Sequence, residues 1–390
     1  MLSMRILFTG GGTLGPVTPL LAVAEELNSK CKIQNVKCRL FWIGTRRGPE
    51  RKLVEEAGIP FSWIWAPKWR RYFDLRNLLV PFALLWSFKM AWWKLLRLRP
   101  EVIVTAGGYV GVPLVCAGWL LRIPSVLHNQ DIRWSLANKL VAPFVKKITY
   151  ALPGTVPARW KEKSVWTGNP VRRFIFSTSP SLRPPSPKGR GEGKGDHPTI
   201  LVIGGGTGAK RLNEIVWEAL PELTKKYQVV HVTGRGKNFD PSPGLRPPSP
   251  SGRGDVLNLP LPAGEGGGEG RYRAFEFVTH EIADIYAAAD LVITRAGMGV
   301  LTECAALGKP MIIVPIPGSH QEDNARYFEK RHAALVLDQR KLTGEALAKT
   351  VQKLFSELGT RQEMSQRAGE LMRPDAAKHV AQEALGLAKK

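Results

Sequence analysis

The groups in this sequence best placed to do chemistry are backbone amides. Residues 6–27, ILFTGGGTLGPVTPLLAVAEEL, read as a strand that ends in a glycine turn and runs into a helix, and residues 200–213, ILVIGGGTGAKRLN, repeat that shape. Such a turn brings N–H groups close to an anion or a sugar, and the helix N-terminus that follows favours negative charge. A third turn, TAGGYVGVP at 105–113, sets another Gly-Gly at a strand end, where open α/β sheets bind ligands. Pro19 falls in the first turn of its helix, where a missing N–H is harmless.

Two stretches of the second half add side chains. RAGMGVLTECAALGKP at 295–310 follows the strand LVIT and places Glu303 in a helix behind a loop of small residues. A carboxylate there can accept two ribose hydroxyls while the loop amides meet phosphates; equally, it can be the capping residue of a surface helix. PGSHQEDNA at 317–325 offers His320, Gln321 and Asn324, neutral groups suited to sugar hydroxyls. A dinucleotide fingerprint needs an acid about 20 residues beyond its glycines. The run after the second strand, GTRRGPE, shows no acid at the strand end, so a nicotinamide cofactor is not expected.

The elements that must carry these turns alternate. Short apolar runs at 6–9, 40–44, 102–105, 125–127 and 148–151 are separated by helical stretches that include 20–27 and 49–57. The pattern restarts after Gly168 with runs at 200–203, 229–233, 274–277, 291–294 and 311–314, so the boundary falls in TGNPVRR at 167–173. The fold class is therefore α/β: two parallel sheets with helices on both faces, and a ligand cleft between two facing domains. SLRPPSPKGRG at 181–191 and GLRPPSPSGRG at 244–254 are nearly the same peptide and belong to neither sheet. Their Pro, Gly and Ser content without apolar periodicity reads as disordered insertion.

The formal net charge is +23, which points to nucleic acid, an anionic membrane or phosphorylated substrates, with a generally basic soluble surface as the alternative. Part of that charge lies in the inserts, which weakens the inference. Cys31, Cys38, Cys116 and Cys304 suggest neither a disulfide framework nor a zinc site. No apolar run is long enough to cross a bilayer and the first residues do not read as a signal peptide, which leads to a cytoplasmic expectation; whether Met1 or Met4 is the start stays open. Residues 61–100 hold six of the twelve tryptophans together with Lys68, Arg70, Arg71, Lys89, Lys94, Arg97 and Arg99. A helix over 77–98 with aromatics around it and basic residues at its C-terminal end suits a headgroup region, and that reading is preferred to a packed helix with a wet basic side.

The motifs GGT-x-G-x-V-x-P, GGYV, GNPVR, GG-x-x-GA-x-x-LN, R-x-G with TE-x-AALG-x-P, and HQ-x-x-NA occur in this order. With them the chain resembles the MurG family: peripheral membrane glycosyltransferases that move N-acetylglucosamine from UDP-N-acetylglucosamine to lipid I, forming lipid II for peptidoglycan. The likeness spans almost everything but the two inserts. It implies the GT-B architecture, with residues 1–170 as acceptor and membrane-docking domain and 171–372 as UDP-sugar domain carrying inserts near 179–197 and 241–270. Residues 373–390 would form a helix, from about 375 to 389, that returns to the first domain. It also implies an undecaprenyl-linked acceptor, an anionic membrane surface at the cytoplasmic face of the inner membrane, other cell-wall synthesis proteins as partners, and a part in cell shape and division. No cofactor, no protein-held metal and no nucleic acid are implied, and no Asp-x-Asp is present.

By the same resemblance, Gly11, Gly12, Thr13, Gly107, Gly108 and Tyr109 would hold the acceptor. The donor would meet Thr13, Leu14, Gly15, Asp131, Arg172, Gly206, Val278, Met298, Gly299, Val300, Leu301, Thr302, Glu303, Gln321 and Asn324, with Val278 at the uracil, Glu303 at the ribose and the stretch from Met298 to Thr302 at the diphosphate. Trp86, Trp92, Trp93, Trp119, Lys94 and Arg97 would dock on the membrane. Three departures touch catalysis. The family's Gly-Gly-His is here Leu14-Gly15-Pro16, its HEQN is HNQD with Asn129 and Asp131, and Gly206 stands where a serine is usual. Inverting transfer needs a base for the attacking hydroxyl, and Asp131 with His128 would supply it. A related transferase with another lipid-linked acceptor, and a non-catalytic UDP-sugar-binding scaffold, are the alternatives; nucleic-acid binding ranks below both.

Overall fold

The computed structural model describes residues 4–33, 38–66, 80–177, 197–205, 209–234, 271–278 and 281–388. Gly206, Met1, the basic residues Lys68, Arg70 and Arg71, the beginning of the expected 77–98 helix and, but for His197, both inserts lie outside the described residues. The chain divides into two units, Met1–Arg172 with Arg373–Lys390, and Arg173–Met372.

In the first unit strands and helices alternate, with two strands, at 61–64 and 164–166, that the apolar runs did not mark: β1 (Met4–Thr9), α1 (Thr18–Ile33), β2 (Cys38–Thr45), α2 (Glu50–Glu56), β3 (Phe61–Ile64), α3 (Val80–Leu98), β4 (Val102–Thr105), α4 (Gly111–Leu120), β5 (Ser125–Asn129), α5 (Leu136–Val141), β6 (Lys147–Tyr150) and β7 (Ser164–Trp166). The sheet order is β3-β2-β1-β4-β5-β6-β7, and the neighbouring strands pair in parallel. Chain order reverses between β1 and β4, so the glycine turns after those two strands flank the switch point where such sheets bind ligands. Parallel strands are buried on both faces, and β1 divides its side chains accordingly. Ile6 and Phe8 meet Leu20, Leu21 and Leu27 of α1, while Leu7 meets Ala91 and Leu95 of α3 and Leu114 of α4.

The second unit restarts the scheme with β8 (Thr199–Ile203), α6 (Lys210–Leu223), β9 (Gln228–Val232), β10 (Tyr272–Phe275), α7 (Ile282–Ala288), β11 (Leu291–Thr294), α8 (Met298–Ala306), β12 (Met311–Ile313), α9 (Gln321–Glu329), β13 (Leu335–Val336), α10 (Gly344–Ser356) and α11 (Leu358–Glu370). Its sheet, β10-β9-β8-β11-β12-β13, is also parallel and reverses between β8 and β11. Ile200, Val202 and Ile293 pack on Leu212, Ile215 and Val216 of α6 and Leu347 and Val351 of α10. The last helix, α12 (Ala376–Ala388), belongs to the first unit, where Val380, Ala381 and Ala384 close the core built on α1.

The reading of the cysteines needs correction. Cys31 and Cys38 form a disulfide across the α1–β2 connection, with Cα atoms 6.0 Å apart, while Cys116 and Cys304 are free. Sequence spacing carries no sign of the bond; the approach of the last turn of α1 to the first residue of β2 creates it.

Ala381 is fully buried where α12 closes the first core. Placing a carboxylate there leaves an uncompensated buried charge, so Ala381→Asp is expected to lose about 3 kcal/mol of stability. In a thermal melt followed by circular dichroism this is a drop of roughly 10 °C.

Candidate active site

The first glycine turn is held from below by a residue that the sequence left unmarked. Glu50, the first residue of α2, is fully buried. Its Oε1 accepts from the Thr45 N–H at 2.6 Å and the Thr45 hydroxyl at 2.5 Å, and its Oε2 accepts from the Gly12 N–H at 3.3 Å. Glu50 lies beyond the end of β2, in the first turn of α2, and its carboxylate reaches back to Thr45. Its two oxygens are taken up by those three donors. Gly12 has φ +84° and Tyr109 lies over it, its ring 2.5 Å from where a Cβ would be; at Gly108, φ +87°, a Cβ would meet the Gly11 carbonyl at 2.9 Å. Only glycine fits both positions. Burial, and then the Glu50 charge, push the Tyr109 phenol up, so it stays a hydroxyl. Thr13 and Gly15 at the tip of the turn are exposed and Leu14 is half-buried.

At the end of β5 the residues expected to share one role divide. His128 is 1% exposed. Its Nε2 donates to Asn169 Oδ1 at 2.9 Å, and Thr149 Oγ1 donates to its Nδ1 at 3.0 Å, an assignment that follows from Asn169 Oδ1 being an acceptor only. Burial lowers its pKa to about 4. A buried, neutral imidazole with both nitrogens engaged positions β5, β6 and the GNP segment; it is not placed to take a proton from a substrate, which corrects the pairing of His128 with Asp131 as joint base. Asn129 is buried too, its amide donating to the Asp131 carbonyl and accepting from Asn138 Nδ2, both at 2.9 Å. Asp131 is half-buried, just beyond the strand's C-terminal end. Arg172 lies in the first unit, its Nε 2.8 Å from Glu25 of α1.

In the second unit, α8 begins at Gly297 without a side-chain cap, so its first-turn amides have no intrahelical acceptor. Met298, Leu301 and Thr302 are buried, Gly299 and Val300 half-buried, and only the backbone of this turn can present itself to an anion. Glu303, half-buried on the same helix, accepts a hydrogen bond from the buried Tyr286 hydroxyl at 2.9 Å. Asn324 is fully buried and its Nδ2 donates to the Ala296 carbonyl at 3.1 Å, so it braces the loop after β11 and its side chain is not on the surface to meet a sugar. Gln321, half-buried, accepts from the Ile316 N–H at 3.2 Å, and Val278 is half-buried beyond β10.

Two further buried groups support this half. Arg295 is 5% exposed, donates from Nη1 to the Val314 carbonyl at 2.9 Å, and has its pKa lowered to about 10 by burial. Its Nε has no hydrogen-bond partner among the described residues. His231 sits in a directed chain: Trp217 Nε1 donates to the Tyr272 hydroxyl, which donates to His231 Nδ1; His231 Nε2 donates to Asn213 Oδ1, and Asn213 Nδ2 donates to the Thr233 carbonyl. Arg295 and Asn213 were visible inside motifs, but their burial was not. Among the described residues no group of three or more His, Cys, Asp or Glu is arranged to hold a metal.

The aromatic helix α3 sorts its residues by face. Trp86 and Trp93 are exposed, with Lys89 5.8 Å over the first ring and Arg97 5.4 Å over the second; Phe82, Leu85, Leu96 and, on α4, Trp119 and Leu120 are exposed as well. Trp92 is half-buried against the core beside Phe88, and Lys94 reaches back to Ser62 Oγ at 2.6 Å. These two depart from the expected docking set because positions 92 and 94 of the helix point between its wet and buried faces. Among the described residues no helix is long and apolar enough to cross a membrane.

Residues 6–150 match the Glycosyltransferase family 28 N-terminal domain and residues 199–380 the Glycosyltransferase family 28 C-terminal domain. The chain is 38% identical over 362 residues, 90% of its length and 91% of the relative's, to UDP-N-acetylglucosamine--N-acetylmuramyl-(pentapeptide) pyrophosphoryl-undecaprenol N-acetylglucosamine transferase 2 of Bacillus cereus (strain ATCC 10987 / NRS 248). It is 35% identical over 356 residues, 90% of its length and 89% of the relative's, to the corresponding transferase of Legionella pneumophila (strain Paris). Its fold is similar to the crystal structure of Acinetobacter baumannii MurG, with a TM-score of 0.70 and 25% identity, covering 98% of this chain and 99% of that one.

The buried His128 gives the first unit an acid limit. Unfolded, it takes a proton near pH 6.5; folded, it resists to about 4. Between those values the unfolded chain binds more protons, so stability that is full above pH 6.5 is lost as pH falls towards 4, by about 2 kcal/mol at pH 5. Melts at about pH 7 and pH 5 should show this loss, and His128→Gln, less stable at both, should show a smaller one.

Proposed function

Since the chain belongs to the MurG transferases of glycosyltransferase family 28, we infer that it transfers N-acetylglucosamine from UDP-N-acetylglucosamine to the muramyl 4-hydroxyl of lipid I, with inversion, forming lipid II. The observation that carries this is the 38% identity sustained over 90% of both chains. We place the enzyme at the cytoplasmic face of the plasma membrane, held there by the exposed aromatic face of α3 and α4 with its basic residues, an arrangement suited to anionic headgroups.

The residue roles follow from what each half offers. The first unit takes the acceptor on the turns at Gly11, Gly12 and Thr13 and at Gly107, Gly108 and Tyr109. The second unit takes the donor: Val278 at the uracil, Glu303 at the ribose, the α8 amides from Met298 onward at the diphosphate, and Gln321 at the sugar. Arg172 and the tip residues Leu14 and Gly15 complete the donor contacts. Asp131 accepts the proton of the attacking hydroxyl as the new bond forms at the anomeric carbon and UDP departs from the opposite face. The open amides of α8 and the buried charge of Arg295 supply the positive potential that the leaving diphosphate requires. His128 and Asn324 act behind these contacts, as positioning residues.

UDP release from UDP-N-acetylglucosamine, measured in detergent with and without a short-chain lipid I analogue, tests the reading. Release that needs the analogue is expected; donor binding without release would sink it. Asp131→Asn should lower kcat at least about a hundredfold and leave the donor KM nearly unchanged. Turnover within a few fold of wild type would remove Asp131 from the mechanism.

The docking face has its own test. The double variant Trp86→Ser, Trp93→Ser should lose roughly tenfold in retention on phosphatidylglycerol vesicles while keeping turnover in detergent.

A further inference from the structure

Glu303 is a flexible carboxylate, and its usefulness to a ribose depends on where it points. Tyr286 answers that need from the neighbouring helix. It is one of the largest fully buried side chains of the protein, and its hydroxyl lies 2.9 Å from Glu303 Oε2. Burial, and then the charge of Glu303, push the phenol well above its ordinary value, so it remains a donor at any pH at which the protein works. The neighbouring Cys304 thiol is also fully buried and is likewise pushed up by burial and by Glu303, so it too stays neutral.

The helix that bears Tyr286 is fixed in turn. Lys309, just past the C-terminal end of α8, donates to the carbonyls of Ala287 and Ala289 at 3.0 and 2.9 Å. These are carbonyls of the last turn of α7, which lack intrahelical donors. One amine thus ties the end of α7 to the end of α8, with the Tyr286–Glu303 bond between them. A hydroxyl held this rigidly selects one orientation of the carboxylate before any ligand arrives, so the entropy of fixing a long side chain does not fall on binding.

We propose that Tyr286 is the positioning residue for ribose recognition: through its hydrogen bond it orients Glu303 to accept the vicinal hydroxyls of the donor's ribose, and so gives the enzyme its preference for ribo- over deoxyribonucleotides. This rests on the reading of Glu303 as ribose ligand, and the test separates the two.

Affinities of UDP and 2′,3′-dideoxy-UDP are measured by calorimetry for wild type, Tyr286→Phe, Glu303→Gln and the double variant, with melts of each as a folding check. A hydrogen bond to a charged group is worth enough that its loss should cut the ratio of the two affinities about tenfold in Tyr286→Phe. Dideoxy-UDP itself should bind nearly as before, and adding Tyr286→Phe to Glu303→Gln should change the ratio no further. If Glu303→Gln flattens the ratio and Tyr286→Phe leaves it intact, or weakens both nucleotides equally, the positioning role is overturned while the ribose role of Glu303 stands. If wild type does not distinguish the two nucleotides, the ribose reading fails and the proposal with it.

Discussion

A carboxylate enclosed by protein holds the first glycine turn in shape. Glu50 takes the N–H groups of Gly12 and Thr45 and the Thr45 hydroxyl, and so binds the turn to the end of β2. The glycines around it follow from that choice. A Cβ at Gly48 would lie 1.9 Å and one at Gly11 2.2 Å from a Glu50 oxygen. Because Gly108 in turn packs on the Gly11 carbonyl, the ends of β1, β2 and β4 become one rigid object. The N–H groups that the turn offers to a ligand are as well placed as this carboxylate keeps them.

The second unit carries a buried polar support without a charge, and it joins α6 to β9 and β10. Its chain from Trp217 through Tyr272, His231 and Asn213 to the Thr233 carbonyl has one consistent direction of donation, which requires a neutral His231. Burial supplies that condition by lowering the imidazole to about 3. Thr233, thus fixed, donates from its backbone to the Phe275 carbonyl at 2.9 Å and holds β9 to β10 ahead of Val278. The two units therefore carry buried polar supports of different physics, one sensitive to the loss of a carboxylate and the other to the protonation of a histidine.

The inner strands and the turns were legible because parallel strands buried on both faces read as plain apolar runs, and because glycine before a helix has few other uses; the edge strands β3, β7 and β13, which bury little, left no such run. What escaped was every fact that depends on burial or on distant partners. Glu50 reads as a surface residue of a charged helix, since its partner Gly12 is 38 residues away. His128 reads as a base because its type suggests one; the two side chains that occupy it come from β6 and from the segment after β7. The same limit hid the Cys31–Cys38 bond, and it hid Tyr286, which in sequence is one more apolar residue of a short helix. Pattern gives the elements and their ends, whereas the residues that hold the ligating groups in place are chosen by packing across elements.

Packing also bears on the displaced carboxylate. In HNQD, residues 128 to 131, the first three side chains are buried and the fourth is half-buried. Asn129 is closed in by Asn138 and by the Asp131 carbonyl; a carboxylate at that position could still accept from Asn138 Nδ2 but would lose the donation to the Asp131 carbonyl. Position 131 lies past the end of the strand, where a carboxylate keeps part of its hydration. With Asn at 129 and Asp at 131, the carboxylate of this segment stands on the one residue of the four that is not buried.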